Sequence, residues 1–189
     1  EIVKNASKYG IEIPEYTVKW SKVIKRSRDV ARRLNKGIEF LMKKNKITYI
    51  PARGKLINAT TVQTTTDEGG VNQISAEKII IATGARPKWF PGMEPDGDRV
   101  ITSKEAMVQE EQPKSLIIIG AGAIGIEFAH FYNAMGTDVT IVEYLPNLVP
   151  LEDEEVSKQF GRSFKKAGIK VMTNASVESV DITGKKIKA

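Results

Sequence analysis

The run Leu116–Glu127 reads LIIIGAGAIGIE and holds the residues whose types and spacing speak most directly of chemistry. Its three glycines have three separate uses. Gly120 permits a tight turn out of a strand. Gly122 leaves room for a diphosphate to approach the backbone. Gly125 lets the following helix lie close on the sheet. A glycine pattern of this kind is weak by itself, but here its context is complete. The apolar run Ser115–Gly120 reads as a strand, and Ala123–Met135 reads as a helix that stops at Gly136. The start of that helix offers free N–H groups and the positive end of its dipole to phosphates. Ala121, Ala123 and Ile124 therefore join the three glycines as candidate cofactor contacts. A second apolar strand, Asp138–Val142, ends in Glu143, placed where an acid accepts hydrogen bonds from the ribose 2′- and 3′-hydroxyls. A carboxylate repels a 2′-phosphate, and no arginine lies between Gly136 and Asn147 to hold one. The spacing points to NAD rather than NADP.

Other chemistries find little support. The chain has no cysteine, which excludes a disulfide framework, a thiolate metal site and a cysteine nucleophile within it. Its one histidine, His130, cannot build a His-rich metal site, and no metal is expected. Glu127 is the candidate catalytic residue, although a carboxylate in the first two turns of a helix is also favoured by the helix dipole alone. His130, three residues further on, reads as structural.

These residues need elements to position them. Glu1–Tyr9 reads as the end of a helix closed by Gly10. Thr17–Lys44 is the strongest helical segment, with Val23, Ser27, Val30, Leu34, Gly37 and Leu41 as an apolar stripe expected to pack on its own domain. Fifteen Lys/Arg against five Asp/Glu fall in residues 1–55, and the basic side chains sit opposite that stripe. They read as a solvated face rather than a nucleic-acid surface. The period then changes to two, predicting an antiparallel meander with strands near 48–57, 60–66 and 73–82, the last ending in the apolar run Ile79–Ala82. Residues 85–114 form a Pro- and Gly-rich connection. It holds one short helix begun by the capping box Thr102–Glu105, and Pro113 marks a domain boundary. Beyond the glycine motif, Glu152–Ala167 reads as a helix with Val156, Phe160 and Phe164 as its buried seam. Lys170–Thr173 follows as a third strand, and Val177–Val180 with Lys185–Lys188 as a hairpin. No apolar run approaches a membrane span and no signal peptide is visible, so the expectation is a cytoplasmic protein.

With these residues in view, the chain resembles the flavin-dependent pyridine nucleotide-disulfide oxidoreductases, and most of all the branch that oxidises dihydrolipoamide. Ile79–Pro87 is similar to the family's second flavin-contact motif. Gly120–Glu127 matches its NAD fingerprint, including the glutamate after the third glycine. Leu151–Glu155 after Pro150 looks like the dehydrogenase branch, and the helix Ser27–Lys44 with Ala52–Lys55 also fits. The resemblance implies an α/β fold, with part of an FAD-binding domain (helices plus an antiparallel β-meander) over 1–113. The first half of a Rossmann-like NAD-binding domain would follow over 114–189. It further implies that Gly54, Thr83, Gly84 and Ala85 lie along FAD, Glu127 near the flavin–nicotinamide stack, and Val177 near the NAD adenine.

The family's first FAD fingerprint, its redox-active cysteine pair and its C-terminal dimerisation domain are not in this sequence, which therefore reads as a central fragment. The resemblance implies an intact homodimer, in the setting of a 2-oxoacid dehydrogenase complex, that passes electrons from lipoamide through a disulfide and FAD to NAD, with no nucleic-acid or membrane partner. Related flavoproteins such as mercuric reductase or NADH oxidase share this region and form the alternative within the family. Outside it stands a non-catalytic nucleotide-binding module whose basic helix 17–44 docks a partner or nucleic acid.

Overall fold

The computed structural model describes residues 2–184 and 187–189. They fall into two compact units, one of Glu1–Arg26 with Pro87–Ala189 and one of Ser27–Arg86.

The chain opens on turns and a short 3-10 helix, Ala6–Tyr9, rather than the end of an α-helix. Gly10 closes it with φ 72°, the left-handed conformation that glycine adopts without steric cost. Helix α1 spans Trp20–Lys44, as its periodicity predicts. Its expected packing is observed only at its start, where Trp20 is buried and Ile24 packs on the core, whereas Leu34, Ile38 and Leu41 are more than half exposed. A stripe of 3.6-residue period records which side chains favour burial. It does not supply the surface that would cover them, and no element of the second unit does so.

The meander of the second unit comprises β1 (Arg53–Asn58), β2 (Thr61–Thr65) and β3 (Val71–Ser75), paired antiparallel in that order. Both turns are set by side chains that mimic backbone. Asn58 Oδ1 accepts from Thr60 N at 2.9 Å, and Thr66 Oγ1 accepts from Gly70 N at 3.0 Å. The strands are shorter than predicted. The run Ile79–Ala82 is not a strand, and Ile80 and Ile81 stand exposed. Strand propensity becomes a strand only when a neighbouring edge offers hydrogen bonds, and none of the described strands pairs with this run.

Helix α2, Ser103–Ala106, is held by the predicted capping box. Thr102 Oγ1 accepts from Lys104 N, while the Glu105 carboxylate accepts from Thr102 N at 2.9 Å and from the Thr102 hydroxyl. These hydrogen bonds hold the Glu105 pKa below its usual 4.5. Replacing Thr102 with alanine should lower stability by about 1 kcal/mol at neutral pH. Because the folded pKa is depressed, the box contributes fully above pH 4.5 and is lost as pH falls through the lower folded value. The bond from Lys104 N to Thr102 Oγ1 does not titrate, so urea midpoints of wild type and Thr102→Ala should differ more at pH 7 than in acid, where the Glu105 half of the box is lost; an equal difference at both would refute the carboxylate's part in the box.

The first unit is built on a parallel sheet of β4 (Ser115–Ile119), β5 (Asp138–Val142) and β6 (Lys170–Met172), in the order β4-β5-β6. Helix α3, Ala123–Met135, joins β4 to β5, and α4, Glu154–Lys166, joins β5 to β6. Gly136 ends α3 with φ 105°. One face of the sheet, with Leu116, Ile118, Val139, Ile141 and Val171, packs into the core with Ile126, Ala129, Tyr132 and Phe164. Ile117, Ile119 and Met172 are exposed. In α4 the seam is Phe164 and Phe160 with buried Ser157, whereas Val156 is exposed, because the Ser157 hydroxyl donates to Leu148 O at 2.6 Å and turns that side of the helix inward. Of the predicted terminal hairpin, only a bridge between Asp181 and Lys188 forms among the described residues, and Lys185 and Lys186 lie outside them.

Tyr132 is the hub of this core. It is fully buried, its hydroxyl donates to Ala106 O at 2.7 Å, and its ring lies 5.5 Å from that of Trp20. Burial pushes the phenol pKa above its ordinary value. Trp20 in turn donates from Nε1 to Gln109 O at 2.8 Å. Residues before and after Pro113 thus share one core.

Candidate functional site

The glycine run forms a turn between β4 and α3 at the carboxyl edge of the parallel sheet, where ligands bind in open α/β folds. Gly120 N donates to Val142 O at 2.8 Å, which carries the ladder one residue past β4, and the chain then turns at φ 99°. That conformation favours glycine. A Cβ built on Gly125 would stand 2.1 Å from Gly120 O, so the helix touches the turn backbone to backbone. A Cβ on Gly122 would meet nothing within 4 Å. Gly122 is also the N-cap of α3 and has no side chain to cap it, so the first amides of the helix are left for a ligand. The three glycines thus have the turn, open-space and close-packing environments expected of them.

Glu143 follows β5 and is 7% exposed. Its Oε2 accepts from Ala121 N at 2.6 Å, and its Oε1 accepts from Leu145 N at 2.8 Å. A carboxylate has about four lone-pair sites, so two remain for hydroxyl donors. Ala121 is fully buried and is held on its other side as well, with Val149 N donating to its carbonyl at 2.8 Å. Val149 makes this bond at φ 42°, a strained conformation for a β-branched residue. The strand end is fixed in turn by Glu143 N to Met172 O at 2.8 Å, Ala175 N to Glu143 O at 3.0 Å and Asn174 N to Leu145 O at 3.1 Å.

The structure therefore gathers Gly120, Ala121, Gly122, Ala123, Ile124, Gly125 and Glu143 into one place. Ile124 is exposed beside the open amides. Val177 is half-buried and follows by two residues the segment bonded to Glu143. Glu127 and His130 lie exposed on α3. Gly54 on β1 and Thr83, Gly84 and Ala85 beyond β3 belong to the second unit and are exposed, with Gly84 at φ 75°. The described residues contain no cluster of His, Cys, Asp and Glu fit for a metal, and no helix long and apolar enough to cross a membrane. The parts played by Leu145 and Val149 were invisible in the sequence, because both act through backbone amides that every residue but proline carries.

The sequence profile of the family described as "Pyridine nucleotide-disulphide oxidoreductase" matches residues 3–189. The chain belongs to this family. The pyridine nucleotide-disulphide oxidoreductases pair a flavin with a pyridine nucleotide. Among curated members, the chain is 39% identical to a dihydrolipoyl dehydrogenase of Chlorobaculum tepidum over 189 residues, which are 100% of this chain and 40% of that protein. It is 40% identical to the dihydrolipoyl dehydrogenase of Chlorobaculum parvum over 183 residues, 97% of this chain and 39% of that one. Among solved structures, LpdA from Mycobacterium tuberculosis superposes with a TM-score of 0.87 at 26% identity, covering 97% of this chain and 40% of that one. The chain thus spans about 40% of the length of the relatives it matches. The fold is the family's mixture of helices, an antiparallel meander and a parallel sheet, as the resemblance implied.

Proposed function

We propose that residues 114–189 are the first half of an NAD-binding domain and residues 1–113 part of an FAD-binding domain, in a cytoplasmic homodimer that oxidises dihydrolipoamide with NAD as acceptor. The observation that carries the nucleotide reading is the buried Glu143 carboxylate, bonded to the middle of the glycine turn at the carboxyl edge of the sheet. The substrate comes from the relatives, which bear the name dihydrolipoyl dehydrogenase over all or nearly all of this chain.

In this reading the chain binds and orients. The amides at the start of α3 and the space over Gly122 take the diphosphate. Glu143 accepts from the adenosine ribose, Val177 lies along the adenine, and Glu127 lies near the nicotinamide. Gly54, Thr83, Gly84 and Ala85 line FAD. NAD, when bound, supplies a nicotinamide ring that accepts a hydride. Lipoamide and membership of a 2-oxoacid dehydrogenase complex belong to the same proposal.

Glu143 is then the main determinant of cofactor choice. Hydrogen bonds to an ionised partner contribute about 1.5–3 kcal/mol. Glu143→Ala should therefore weaken NAD binding roughly tenfold to a hundredfold. Glu143→Arg should move preference towards NADP by removing repulsion and adding a cation for the 2′-phosphate. Titration calorimetry of the intact protein and both variants with NAD and NADP tests this. Affinities unchanged across the three would take the acid away from the ribose.

A further inference from the structure

The glycine turn is tied down by hydrogen bonds from within the protein. Ala121 sits between the first two glycines and is fully buried, and both of its backbone groups are taken. Its N–H donates to Glu143 Oε2 at 2.6 Å and its carbonyl accepts from Val149 N at 2.8 Å. The second oxygen of Glu143 holds Leu145 N, which ties the same carboxylate to the segment running on to Val149. Val149 keeps its amide on Ala121 at a φ of 42°, where valine is strained. Surroundings must over-determine such a conformation for it to persist. Ser157 supplies part of that constraint by donating to Leu148 O at 2.6 Å, and Leu148 and Val149 are both buried.

We propose that Glu143 is a positioning residue for the diphosphate loop, in addition to its role towards the ribose. Its carboxylate holds Ala121 so that the amides beyond Gly122 already point at the place of the diphosphate before a nucleotide arrives. Binding then requires no ordering of the turn, and affinity for the diphosphate depends on an acid that never touches it. The inference rests on the reading of this site as a dinucleotide site. It differs from the ribose role in its consequence: loss of the acid weakens ligands that have no ribose hydroxyls to offer.

The test uses the intact protein and an NAD analogue lacking the 2′- and 3′-hydroxyls of the adenosine ribose. If Glu143 positions the loop, Glu143→Ala should bind this analogue about tenfold more weakly than wild type does, the scale expected for one charge-assisted hydrogen bond. Hydrogen exchange without ligand gives a second readout. The Ala121 amide should be protected in wild type and exchange at least tenfold faster in Glu143→Ala, while core amides such as that of Ile141 hold their rates. Glu143→Gln keeps the volume but loses one acceptor oxygen. It should show the same two changes in smaller measure, and it stands in should the alanine variant fail to fold. Equal analogue affinity in wild type and variants, with NAD alone weakened, would overturn the positioning role and leave the ribose role intact. If neither ligand is weakened, both roles fail.

Discussion

Gly125→Ala is expected to destabilise the first unit by about 3 kcal/mol, at the upper end of what an inserted methyl costs in a packed interior. The added Cβ would lie 2.1 Å from Gly120 O and 3.4 Å from Ile118 Cγ2, and the first of these neighbours is backbone. A flexible side chain could rotate away, but a carbonyl in a turn cannot. Helix α3 must therefore move off β4, which also disturbs Ile126 and Ala129 in the core. In the proposed dinucleotide site the same shift carries the helix amides away from the diphosphate, so NAD binding should fall along with stability. Gly122→Ala is the control, since its Cβ enters open space at a φ of −68° that any residue adopts. It should fold with little loss, yet hinder a diphosphate in the proposed site directly. Urea denaturation and NAD titration of both variants separate the two effects. A Gly125→Ala protein within about 0.5 kcal/mol of wild type, the range of ordinary surface changes, would show that the close approach is not built as described.

Tyr132→Ala should cost about 3–5 kcal/mol, the usual range for removing a fully buried aromatic ring. Several contacts go at once. They are the hydroxyl bond to Ala106 O, the edge contact with Phe131 at 5.3 Å and the ring contacts with Trp20 at 5.5 Å and Phe128 at 6.3 Å. Small proteins are stable by only about 5–15 kcal/mol, so the variant should be half unfolded under mild denaturant. Tyr132→Phe isolates the hydroxyl and should cost about 1–2 kcal/mol, because Ala106 O is left without that donor. Trp20 is the buried one of the two tryptophans, so its emission reports the loss of this cluster. An alanine variant with wild-type stability and an unshifted emission maximum would mean that residues near Trp20 and near Ala106 do not join α3 in one core.

The parts of this protein legible in the sequence are those set by local rules. The bounds of β4 and α3 follow from apolar periodicity ended by Gly120 and Gly136, and the capping box at Thr102–Glu105 follows from side-chain chemistry three residues apart. The turn, open-space and close-packing environments of Gly120, Gly122 and Gly125 were legible too, because each answers a separate steric need. Predictions failed where a partner surface decides the outcome. The apolar face of α1 from Leu34 to Leu41 and the run at Ile80 and Ile81 have the composition of buried elements, yet these residues stand exposed. Val156 and Ser157 exchanged the environments their side chains suggest, since one hydroxyl found the carbonyl of Leu148.

By itself the sequence determined the strand–turn–helix unit, the identity of its three glycines and the presence of an acid after β5. Those properties depend on side-chain size, charge and spacing, which the residue order carries directly. Only the tertiary structure decided which groups of the chain that acid holds. Glu143 turns inward to Ala121 and Leu145, and Val149 accepts strain to complete the hold. The groups it meets are backbone amides, identical at almost every position, so no pattern of residue types could have marked them. Their meeting depends on the return of the chain after β5 to the turn after β4, a long-range arrangement that packing of the parallel sheet brings about.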